Sequence, residues 1–206
     1  MKRSSLLIAA ATLLIIPATV FGQGIANSEH DFSGQAWNTT GEICVVCHTP
    51  HNADTTVSEA PLWNHQVTSA TYNLYSSTTL DATMGQPDAS SKLCLSCHDG
   101  TVAIDNFGGT TNGTNYVSGS ALIGSDLRND HPVSFTYDTS LASTDGELHD
   151  PATTTSGLGG TITQDLLFAS KVQCASCHDV HDSAGQDALL RKSNAGSAFC
   201  LTCHDK

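Results

Sequence analysis

The sequence predicts a mostly irregular fold, with short helices at four repeated pentapeptides and a few short strands, templated by bound prosthetic groups. Three observations carry this. All eight cysteines fall in C-x-x-C-H units: Cys44 and Cys47 before His48, Cys94 and Cys97 before His98, Cys174 and Cys177 before His178, Cys200 and Cys203 before His204. Aromatic residues make up only 6% of a chain rich in Ser, Thr, Gly and Asn, so large apolar side chains are scarce for its length. No segment sustains a 3.6-residue apolar stripe.

Taken in chain order, Met1-Lys2-Arg3 followed by the apolar run Leu6 to Ile16, Pro17 and small residues reads as a signal peptide over residues 1–22. The run is shorter than the roughly 18 residues that a membrane-spanning helix needs. Residues 23–206 are then expected as a single exported domain, with one pair of motifs around 44–98 and a second around 174–204. Without Lys2 and Arg3, 6 of the 8 basic residues face 20 acidic ones, a formal charge of −14. Such a surface excludes nucleic acid and anionic membrane as partners. Segments 108–119 and 143–160 have little apolar content and read as surface loops. Val133 to Tyr137 alternates apolar with polar residues and is expected as a short strand. Asp187 to Lys192 is expected as a helical turn, and Ser193 to Ser197 as a capping run into the fourth motif.

In a C-x-x-C-H unit two thiols sit where they can form thioethers to the vinyl groups of a haem, and the adjacent imidazole can ligate its iron. A zinc module would pair one C-x-x-C with another or with H-x-x-x-H, and a redox dithiol would occur once. Four units that exhaust the cysteines therefore predict four covalently attached haem c groups. Cys44, Cys47, Cys94, Cys97, Cys174, Cys177, Cys200 and Cys203 are the attachment points. His48, His98, His178 and His204 are the proximal iron ligands. The apoprotein is expected to be largely unfolded.

The sixth iron position decides between an electron carrier and an enzyme. Apart from the initiator, Met84 is the only methionine, whereas six histidines remain: His30, His51, His65, His131, His149 and His181. Bis-histidine coordination throughout is thus feasible. His51 and His181 follow their motif histidine by three residues, too close to wrap around their own haem but placed to reach a neighbouring one. His51 is expected to serve the haem of Cys94 and Cys97, and His181 that of Cys200 and Cys203. His131, stiffened by Pro132, and His30 come next as distal ligands, with His65 and His149 in reserve.

The runs Cys44 to Ala53, Ala60 to His65, Leu93 to Ala103, Asp130 to Phe135 and Cys200 to Asp205 resemble the doubled-C-x-x-C-H multihaem cytochromes of metal-reducing bacteria. More particularly, they resemble the OmcE-type tetrahaem cytochromes that polymerise into extracellular filaments. The resemblance covers most of the chain from about His30 onward. It implies bis-histidine ligation of all four haems, a homopolymer on or outside the cell surface, and a histidine near the N-terminus that completes a haem of the next subunit, the position His30 holds. Redox proteins and extracellular metal oxides or electrodes are the implied partners. A monomeric periplasmic shuttle would have much the same sequence. A multihaem oxyanion reductase would need an open iron and cationic residues to gather its substrate, so no enzymatic activity is expected.

Overall fold

The structure, a computed structural model, describes residues 24–206; the expected signal peptide over 1–22 lies outside the described residues. Regular elements are few and short: α1 (Ala89–His98), β1 (Phe135–Thr136), α2 (Thr139–Asp145), α3 (Ile162–Asp165), β2 (Lys171–Val172), α4 (Cys174–Cys177) and α5 (Cys200–Cys203). Single 3-10 turns occupy Gly119–Ala121, Asp187–Leu189 and Ala195–Ser197. β1 and β2 pair antiparallel, Phe135 opposite Val172 and Thr136 opposite Lys171. The expected strand thus exists but is clipped to two residues, because Ser134 lies at φ +62 and turns the chain out of the extended region.

Side-chain capping explains where several short elements begin. α2 starts where Asp138 accepts a hydrogen bond from the Leu141 amide at 2.9 Å. It ends at Gly146, whose left-handed φ of 74° lets its N–H return to Ala142 at 3.0 Å. The loop expected from residue 143 onward therefore opens with the last turn of a helix. Capping fixed that helix, and its single fully buried residue, Ala142, left no periodic signal. α3 carries a capping box between Thr161 and Gln164 and buries Ile162 completely. Before α5, the Asn194 side chain accepts from the amides of Phe199 and Cys200 at 3.0 and 3.4 Å, as the capping run predicts.

The apolar interior is divided. The largest cluster joins Phe135, Tyr137, Ala142, Ile162, Leu166 and Phe199 beneath Cys177 and Cys203. Val57, Trp63 and Leu93 pack with Cys47, while Tyr72, Leu95 and Leu127 form a third group. At the start of the described chain, Gly24 has φ +108, and a Cβ there would lie 2.3 Å from the Asp182 carbonyl oxygen. Only glycine fits this approach, which lays the N-terminal segment across the region just after the third motif. Among the described residues no helix is long and apolar enough to cross a membrane.

Candidate functional site

Each pentapeptide is built as one helical turn. The His48 amide donates to the Cys44 carbonyl at 2.8 Å, His178 to Cys174 at 3.0 Å and His204 to Cys200 at 3.0 Å, while Cys94 to His98 forms the end of α1. Three motifs are therefore helical, and the first is a turn closed by the same hydrogen bond. The turn brings two thiols and an imidazole to one side of the backbone. No cysteine is paired in a disulfide. Burial pushes the thiols of Cys47, Cys97 and Cys203 up to about 11, about 12 and about 11. Cys94 and Cys174 lie near enough to act on each other, which raises the first thiol and lowers the second to about 7. Among the described residues no three Cys, His, Asp or Glu side chains converge on a metal-sized site. The arrangement thus differs from a zinc module, whose cysteine pairs meet at one ion.

The motifs follow one another in space in the order of the sequence. Cys47 packs with Leu93 beside the second motif, α1 of the second motif meets α4 of the third, and Cys177 and Cys203 share the largest apolar cluster. The widest sequence gap, between the second and third motifs, is thus closed by direct contact between α1 and α4.

Three proximal imidazoles are oriented in the same way. Nδ1 of His48 donates to Pro61 O at 2.6 Å, that of His98 to Ala121 O at 2.7 Å and that of His178 to Ala188 O at 2.8 Å. With the proton held on Nδ1, the Nε2 lone pair is left for an iron, and the carbonyl fixes the ring plane. None of these three carbonyls carries a sequence signal, since backbone acceptors are independent of residue type.

The distal candidates separate by geometry. His181 stacks opposite His48, with ring centroids 6.2 Å apart and planes 15° from parallel. His30 faces His98 at 6.0 Å, and His131 faces His204 at 6.4 Å. Two of these ring neighbours differ from the expected pairings. The ring of His181 lies against the first motif where the fourth was expected, and His30, where His51 was expected, lies opposite His98. The N-terminal segment passes close to the third motif at Gly24, which is how His30 reaches this position within its own chain. His178 has no ring opposite it among the described residues, and His51 is exposed. His149 acts through its backbone, donating to Cys203 O at 2.9 Å and accepting from the Tyr137 hydroxyl at 2.5 Å.

His65 is 2% exposed, with Nδ1 2.9 Å from Gln66 O and Nε2 3.0 Å from Ala103 O. A carbonyl oxygen only accepts and burial lowers the His65 pKa, so the neutral ring donates to one of the two, pinning the chain beside Cys97. Replacing His65 by Leu is expected to leave the iron spectrum unchanged while costing about 1–3 kcal/mol, the usual loss when buried hydrogen-bond partners are stranded. Urea unfolding followed at the Soret band checks both halves of this expectation.

The donor set fits a haem. A metal–imidazole bond of about 2.0–2.1 Å, with the ring centre about 1.1 Å beyond the nitrogen, puts two trans imidazole centroids about 6.3 Å apart across one ion. The three observed separations, 6.0 to 6.4 Å, lie on that value. Burial holds His30 neutral, lowering its pKa to about 4, and its Nδ1 is buried with no hydrogen-bond partner in the protein. Beside Cys174, Cys177 and His178 lies a cavity of about 190 Å³ whose walls include Leu74, Met84, Leu95 and Leu127. An apolar wall facing two thiols and an imidazole suits a porphyrin edge.

The family described as the doubled CXXCH motif matches residues 168–206, a stretch that takes in the third and fourth pentapeptides. No curated protein matches the chain. The doubled motif supports a multihaem c-type cytochrome with covalently bound haem c, a class whose work is electron transfer. Haem attachment at such motifs is typically extracytoplasmic.

Proposed function

We propose that the chain carries four haem c groups, each held by one C-x-x-C-H unit, and that it passes electrons among them without transforming a substrate. The observation that carries this is the set of three imidazole pairs at 6.0 to 6.4 Å, each joining a motif histidine to a histidine from elsewhere in the chain. When bound, haem supplies one-electron iron redox chemistry. The chain's own residues set how it is used. His48 with His181, His98 with His30, and His204 with His131 would fill both axial positions and keep small molecules from the iron. The carbonyls of Pro61 and Ala121 hold His48 and His98 in one tautomer and orientation. Neighbouring motif helices keep the four sites in series.

We further propose that the chain is exported and assembles into an extracellular filament delivering electrons to acceptors outside the cell. His178 and His51 support this reading: both are exposed, and neither belongs to one of the three imidazole pairs. His51 of one copy placed opposite His178 of the next would complete the fourth site and join the copies. Because His30 faces His98 within one chain, it is His51 that takes the intermolecular role the resemblance gives to the N-terminal histidine. Electron microscopy of purified holoprotein tests this. Filaments are expected from the parent, and monomers bearing one high-spin haem from His51→Ala. A parent that is monomeric with four low-spin haems would instead make the chain a periplasmic shuttle.

A further inference from the structure

The junction between the second and third motifs is held by a buried polar clasp. Gln173, 1% exposed, directly precedes Cys174, and Ser91, 0% exposed, stands three residues before Cys94 on the same side of α1. The Ser91 hydroxyl donates to Gln173 Oε1 at 2.5 Å and accepts from the Cys174 amide at 3.0 Å. Ser134, 5% exposed, donates a second hydroxyl to Gln173 Oε1 at 3.0 Å. Gln173 Nε2 donates to Asp88 Oδ1 at 2.8 Å, at the N-terminal edge of α1. The Gln173 amide is tied to Ser176 Oγ at 2.9 Å within the third motif. Lys171 reaches the other oxygen of Asp88 from the more exposed side.

Every polar atom of the Gln173 side chain is therefore engaged, and its partners belong to the segment leading into the other motif or to the strand edge between them. A satisfied buried network of this kind admits one arrangement of the helices it joins, because a sliding helix would leave amide and hydroxyl groups unpaired. A purely apolar contact would tolerate small shifts. Generic stabilisation also does not account for where the network sits. It lies one turn from Cys94 and next to Cys174, at the place where α1 and α4 meet.

We infer that Gln173 and Ser91 are positioning residues that fix the separation and tilt of the second and third haems, and so govern the electron step between the two halves of the chain. This inference rests on the electron-transfer reading above. Electronic overlap between two macrocycles decays exponentially with their separation, so an ångström of play between α1 and α4 is felt in the rate while each iron keeps its own ligands.

The test uses full-length holoproteins carrying Gln173→Leu, Ser91→Ala or, as a control outside the clasp, Lys206→Met, which removes an exposed ion pair with Glu147. Haem content, the Soret circular-dichroism couplet from haem–haem coupling, and the rate of electron redistribution after flash reduction are measured. In Gln173→Leu and Ser91→Ala the couplet should change and redistribution should slow about tenfold, with four low-spin haems retained; in Lys206→Met both should match the parent. A four-haem Gln173→Leu protein with the parent's couplet and rate would overturn the inference. Should Gln173→Leu fail to load haem, Ser91→Ala decides on the same two readouts. A parent protein with no redistribution at all sinks the electron-transfer reading instead, and the couplet still decides whether the clasp sets the geometry.

Discussion

Blocked from receiving its prosthetic groups, the chain is expected to lose this fold entirely. Its apolar interior is split into clusters of six, three and three buried residues, two of which lean on motif cysteines. The longest helix, α1, has 10 residues, and α3, α4 and α5 have 4 each. An isolated helix shorter than about 12–15 residues is marginal in water, so none of these persists on local preference alone. Nor is there a sheet to organise them, since β1 and β2 contribute two residues each. The residues that remain are irregular backbone, and ordering each costs about 1–2 kcal/mol in conformational entropy. Substituting Ala for all eight motif cysteines should thus abolish the whole of an ordinary domain's folding free energy, about 5–15 kcal/mol. The variant should show a disordered far-ultraviolet spectrum, no cooperative melting and rapid proteolysis. A cooperative unfolding transition in that variant would mean that the protein portion carries its own core.

What could be read from the residues was what local geometry decides. A C-x-x-C-H unit closes on itself through one i to i+4 hydrogen bond, so its thiols and imidazole share a side wherever the turn forms, and Asn194 caps α5 from six residues away. The scarcity of apolar side chains likewise foretold an irregular chain with few elements. The partner of each imidazole was not legible. His181 lies three residues from His178, yet its ring stacks on His48, 133 positions upstream in the sequence. Contacts between distant segments, such as that of Ser91 with Gln173, are made by ordinary polar residues that no motif marks. The surroundings of His65 were equally hidden, since backbone carbonyls of Gln66 and Ala103 flank its ring and backbone acceptors leave no mark in the sequence. α2 was missed because caps at Asp138 and Gly146 outweighed a composition of Thr, Ser and Asp that favours loops.

Removing the distal imidazoles one at a time should open the irons one at a time. In holoproteins carrying His30→Ala, His131→Ala or His181→Ala, one haem of four is expected to turn high-spin and to bind cyanide readily, because each ring is the only imidazole found opposite its motif histidine. His149→Ala should open none, since that residue works through its N–H and carbonyl, which alanine retains. The His181 case separates two maps of the molecule. If proximity in sequence governed, its haem would be the one on Cys200 and Cys203; the place of its ring beside that of His48 favours Cys44 and Cys47. Combining His181→Ala with loss of the fourth haem, through Cys200→Ala and Cys203→Ala, should therefore leave the high-spin signal in place. Combining it with Cys44→Ala and Cys47→Ala should erase the signal. The reverse pattern would return His181 to the fourth motif and would mean that the two halves of the chain do not interlock through the first and third sites. The same comparison bears on conduction, because a haem held jointly by residues from both halves cannot move with either half alone, and the series of four is then one rigid path.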